Sequence, residues 1–123
     1  MNQESVIQLF SGWNDALATG NPDVVTNMYA TDAVLLPTVS NQVRHNHEEI
    51  RDYFVAFLAK QPQGVITESN ARVLSDTLAT NAGVYVFTFG DGSSVTARFN
   101  YTYELTGGDW KIIQHHSSAM PEG

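Results

Sequence analysis

Apolar residues change their period once along this chain, near Pro62, and that change limits the possible folds more than any other feature. Before it they recur at helical spacing. Val6, Leu9, Phe10, Trp13, Ala16 and Leu17 make one amphipathic stripe that ends at Gly20. Asn21-Pro22-Asp23 then supplies an N-cap, a proline at the first helical position and an acid in the first turn. It predicts a short second helix burying Val24, Val25, Met28 and Tyr29. Residues 33–36, Ala-Val-Leu-Leu, read as a short strand stopped by Pro37, and 38–45 as a polar loop. Asn46 with Glu49 resembles a capping box, using Asn in place of Ser or Thr. It opens a helix carrying Ile50, Tyr53, Phe54, Phe57 and Leu58, which stops before Pro62. Beyond Pro62 the period is two. Four strands are predicted at 65–74, 82–89, 95–105 and 110–116, separated by Ser75-Asp76, Gly90-Asp91-Gly92-Ser93 and Thr106-Gly107-Gly108.

Short connections between consecutive strands make an antiparallel meander, and three helices ahead of it make the class α+β, with helices on one face of the sheet. The 123 residues form a single domain, 1–123. Long antiparallel strands that twist and bend around a helix layer form a cone whose open end is a pocket. Composition removes several alternatives. There is no cysteine, hence no disulfide framework, thiolate nucleophile or cysteine-bound metal. A net charge of −7 argues against nucleic acid or an anionic membrane as partner. No apolar run approaches the roughly 20 residues of a membrane span. The N-terminus lacks the basic and apolar regions of a secretory signal, so the expected location is the cytoplasm.

The predicted strand 95–105 sets Ala97, Phe99, Tyr101 and Tyr103 on one face and Thr96, Arg98, Asn100 and Thr102 on the other. The aromatic face could be core, with Arg98 in solvent. Alternatively Arg98 and Asn100 point into a polar cavity, and a second subunit covers Phe99, Tyr101 and Tyr103 together with Trp110. We expect the second arrangement, because so large an exposed apolar patch needs a partner. His115 and His116 are neighbours on a strand, so they face opposite ways and cannot share a metal. One should be a hydrogen-bonded wall residue and the other an interface residue; the competing role is general base or pH sensor. The spacing of His45 and His47 matches no common metal-ligand pattern, and no metal is expected. Trp13 and Tyr53 lie on apolar stripes, where core is the default and a pocket-lining edge the alternative. Arg44, just before the third helix, reaches either the cavity mouth or the surface.

The order helix–helix–strand–helix followed by a meander resembles the nuclear transport factor 2-like fold, a cystatin-like α+β roll, across nearly the whole chain. Within it, Trp110-Lys111-Ile112 and His116-x-Ser118-x-x-Pro121 resemble the closing strand of the calcium/calmodulin-dependent protein kinase II association domain. Gly83-Val84-Tyr85 and the loop from Leu36-Pro37 to Asn41 agree with it more loosely. The resemblance implies a homo-oligomeric association-type domain. From the guanidinium fork of an inward Arg98 we expect its pocket to bind a small carboxylate, with Asn100 and one of His115 and His116 as further donors, near Trp13, Tyr53 and Arg44. Relatives of the SnoaL-like and SgcJ/EcaC types, and ketosteroid isomerases, share the fold. Likeness to the isomerases places their base at Leu36, their oxyanion acid at Asn100 and their tyrosine donor at Trp13, so none of those acid–base groups is present. A cofactor-independent isomerase, cyclase or hydrolase using His115 or His116 as base is the alternative function; no catalytic residue is assigned. No G-x-G-x-x-G run stands in the chain, and no cofactor is expected.

Overall fold

The computed structural model describes residues 1–121. The chain forms α1 (Gln3–Ala18), α2 (Pro22–Thr26), β1 (Tyr29–Leu36), α3 (His47–Leu58), β2 (Gln63–Ser75), β3 (Leu78–Thr88), β4 (Ser94–Thr106) and β5 (Asp109–Ala119). Each helix starts where an asparagine side chain takes a free backbone N–H. Asn2 accepts from Ser5, Asn21 from Asp23, and Asn46 from Glu49. The expected reciprocal contact at α3 closes one residue early: the Glu49 carboxylate accepts from the His45 N–H at 2.9 Å, not from Asn46. No helix among the described residues is long and apolar enough to cross a membrane.

One sheet of five strands runs in the order β1-β5-β4-β3-β2. β2 to β5 pair antiparallel as a meander. The β4–β5 turn is Gly107-Gly108, with φ of 59° and 88°, the left-handed pair that a tight two-residue hairpin requires. β1 differs from expectation. It starts at Tyr29, four residues before the predicted strand, and pairs parallel with β5, Tyr29 opposite Ile112 and Leu35 opposite His115. Tyr29 therefore belongs to the sheet and not to α2, and Val24 on α2 is exposed. The cause is non-local: β5 offers Tyr29 a partner that nothing near it in sequence reveals.

The structure reverses the expected faces of β4. Ala97, Phe99, Tyr101 and Tyr103 are buried against the helices, whereas Thr96, Arg98 and Asn100 are exposed on the outer face. The helices decide this. α1 and α3 turn Phe10, Trp13, Phe54 and Phe57 toward the sheet, and only the aromatic face of β4 buries comparable apolar area against them. Phe10 meets Tyr101 edge-on with ring centroids 6.4 Å apart, and Trp13 does so at 5.7 Å. Phe99, Tyr101 and Tyr103 are thus core residues of a single chain and not a subunit contact. Trp110 is half-buried at the edge of the same core.

Candidate functional site

The inward-facing side chains of β5 alternate as Ile112, His115 and Ser117, with a bulge at Ile113 that keeps the histidine pointing in. His115 is 3% exposed and is the centre of a hydrogen-bonded chain crossing the core. Trp13 Nε1 donates to the Tyr29 hydroxyl at 3.1 Å. That hydroxyl lies 2.8 Å from His115 Nδ1. On the other side of the ring, Nε2 is 3.2 Å from the Tyr85 hydroxyl, which donates to Ser117 Oγ at 2.5 Å. Ser117 Oγ meets Thr38 Oγ1 at the end of the chain.

The direction of every proton in this chain follows from its two ends. An indole N–H only donates, so Tyr29 accepts from Trp13. Tyr85 gives its one proton to Ser117 and so accepts from Nε2–H. The neutral ring therefore carries its proton on Nε2, and Nδ1 accepts from Tyr29. His115 is held neutral, its pKa lowered to about 3, first by burial and then by the neighbouring His116. The rings around it supply that burial: Tyr101 stacks on the imidazole at 4.0 Å and Trp13 meets it edge-on at 5.5 Å. Burial likewise raises the Tyr29 and Tyr85 hydroxyls, so both stay protonated as donors. A general base needs a free lone pair on a group that protonates near neutrality. His115 has both nitrogens committed and accepts no proton in that range.

Beside this chain lies a cavity of about 20 Å³, room for roughly one water. Its walls are mostly apolar, with Trp13, Phe54, Phe57, Phe87 and Val95 among them. The loop residues Pro37, Thr38 and Val39 form one of its walls. Tyr53 and His115 also line it, so Trp13, Tyr53 and His115 come together as the pocket reading requires. The other anticipated residues do not join them. His116 points outward, opposite Asn100 on β4, and Arg98 stands beside Ser118 on the same outer face. The guanidinium fork expected to hold a carboxylate is therefore on the wrong side of the sheet. Arg44 does not line the cavity; it is buried and its guanidinium is engaged elsewhere: Nη1 donates to Asp52 at 2.8 Å and to the Glu49 carbonyl at 3.0 Å, while Nη2 donates to Ser40. It also lies over the Tyr53 ring at 5.8 Å. Its role is to brace the loop between β1 and α3. His45 and His47 are separated by their own partners, the Glu49 carboxylate and the Tyr29 carbonyl.

Sequence reasoning missed Tyr29, Tyr85, Ser117 and Thr38. Ser117 was legible in principle, two residues beyond an inward His115 on the same strand. The two tyrosines lie 86 and 30 residues from that histidine, and no local pattern points to them.

Helices laid on the concave face of a meander, with a cavity walled on one side by the β1–α3 loop, define the nuclear transport factor 2-like, cystatin-like class of α+β proteins. A nuclear transport factor 2-like protein of unknown function from Pseudomonas putida has this fold at TM-score 0.82 and 17% identity, over 96% of this chain and 86% of that one. The association domain of C. elegans calcium/calmodulin-dependent kinase II has it at TM-score 0.75 and 16% identity, over 94% of each chain. The chain belongs to the calcium/calmodulin dependent protein kinase II association domain family, whose model matches residues 2–121. A Xanthomonas campestris protein assigned to that domain is 54% identical, with TM-score 0.94 over 97% of this chain and 88% of its own. Comparison with curated proteins finds no match.

Proposed function

We propose that this chain is a self-associating module in which two copies stack outer sheet face on outer sheet face. The observation that carries this reading is the make-up of that face. Ala82, Val84 and Val86 run along β3 half-buried with no layer above them, and Val65, paired with Val86, is 65% exposed. Arg98 and Glu68 flank Val84 in one row across β4, β3 and β2. Neither belongs to the ion pairs found among the described residues. A two-fold axis running along β3 would set each Arg98 against the Glu68 of the other copy, an arrangement that is self-complementary as such symmetry demands. With the axis on β3, strands β4, β3 and β2 face their counterparts across roughly 14 Å by 35 Å from strand spacing and rise. That flat area, about 500 Å² before side-chain relief, is of the same order as the ~800 Å² each partner buries in a stable complex. Family membership supports self-association.

Light scattering and sedimentation on the full chain test it. Wild type should be a dimer or larger at micromolar concentration. Arg98→Glu should weaken association about tenfold or more by placing like charges together, and adding Glu68→Arg should restore it. A wild-type monomer, or a double variant no better than the single, would remove the proposed face.

A further inference from the structure

The hydrogen-bonded chain in the core has a polarity that fixes what the cavity can bind. It begins at a group that only donates, the Trp13 indole N–H, and each following hydroxyl or ring contributes one proton to pass on. Counting protons along it leaves one surplus O–H at the cavity end, on Thr38 or on Ser117 whichever way that pair is oriented. The terminus is therefore a donor. Among the described residues, no charged side chain lines the cavity. An anion there has no cation to pair with, and a cation no carboxylate, so either would lose its hydration without return.

The loop that walls the cavity is also a partition. Pro37 and Thr38 line the inner cavity on one side and, on the other, an open groove of about 270 Å³ that His116, Ser118 and Asn41 border. The Thr38–Ser117 hydroxyl pair ties this strap to β5, and Val39 beside it is 48% exposed. Withdrawing Pro37–Val39 joins cavity and groove and leaves the Ser117 hydroxyl as a donor facing an aromatic wall.

We propose that this chain has a strap-gated site for a small neutral carbonyl compound, whose oxygen replaces Thr38 as acceptor for Ser117 and whose apolar body packs against Trp13, Phe57 and Phe87. With the strap in place the cavity has room for only about one water, so the ligand enters at the cost of the strap's own contact. The site binds and does not turn over, because His115 is engaged on both nitrogens. This inference concerns the interior and is independent of self-association through the outer face.

The test follows the Trp13 indole N–H resonance in the full chain, identified by its persistence in Trp110→Phe. Three probes of one shape are titrated at neutral pH: cyclohexanone, cyclohexanecarboxylate and cyclohexylamine. Cyclohexanone should shift the resonance saturably, and the two charged probes should bind at least about tenfold more weakly. Ser117→Ala should weaken ketone binding about fivefold to tenfold by removing the donor. Thr38→Val should strengthen it about threefold or more, since it removes the competing acceptor. Equal or better binding of either charged probe, or no saturable shift with the ketone, would overturn the proposal. So would ketone affinity unchanged by Ser117→Ala. If Ser117→Ala does not fold, Thr38→Val decides alone, and unchanged or weaker ketone binding in it overturns the proposal.

Discussion

Burying a neutral histidine couples the fold to acidity, and the sign can be worked out. The folded-state pKa of His115 is lowered to about 3, whereas an unfolded histidine titrates near 6.5. Between those values the unfolded chain binds a proton that the folded chain refuses. Stability is therefore full above the unfolded value and falls as pH drops from about 6.5 toward 3. From pH 7 to pH 5 this one residue should cost about 2 kcal/mol. Urea unfolding of wild type and His115→Gln at both pH values reads the difference. Wild type should lose about 2 kcal/mol more than the variant over that interval. Parallel losses in wild type and His115→Gln would mean that the folded chain admits the proton at His115.

Between β2 and β3 the register shifts after Ile66, and Thr67 is the extra residue. The bulge brings the Glu68 carbonyl so close to Gly83 that a Cβ added there would lie 1.9 Å from that oxygen. Gly83→Ala must therefore push two backbones apart, and overpacking of that kind costs about 1–3 kcal/mol. Thermal unfolding should show this loss, while the same change at Gly92, with nothing within 4 Å but φ of +88°, is governed by backbone strain alone. A Gly83→Ala chain as stable as wild type would mean that β2 moves freely and the bulge is not fixed. The bulge also marks the border between what the sequence disclosed and what it withheld. The helix starts at Asn21 and Asn46 and the hairpin at Gly107-Gly108 are written in adjacent residues, and all were legible. Alternation along β4 was equally clear, but period two names two faces without saying which one meets the helices; Arg98 and Phe99 were exchanged for that reason. The parallel contact of β1 with β5 and the union of Tyr29, Tyr85 and His115 depend on strands far apart in sequence. Only the assembled sheet brings them together.

At the scale of the whole molecule, charge opposes the proposed assembly, and magnitudes decide which effect dominates. Each chain carries a net −7. The proposed dimer gains two exposed Arg98–Glu68 contacts, each worth about 0.2–1 kcal/mol. Against them stands the repulsion between the two copies. For centres about 25 Å apart, suited to the ~14 Å radius of gyration of a domain this size, Coulomb's law in water gives about 8 kcal/mol before screening. At 10 mM salt, with a Debye length near 30 Å, about 3.5 kcal/mol of it remains; at 150 mM, with about 8 Å, less than ~0.5 kcal/mol does. The point-charge treatment sets an upper bound, yet the difference exceeds what the two ion pairs can lose by screening. Self-association should therefore tighten as salt rises from 10 to 150 mM, by up to about a hundredfold, and change little beyond that. Sedimentation equilibrium across a salt series measures it directly. Association that weakens with salt would place opposite charges, and not the apolar strip along β3, at the centre of the interface.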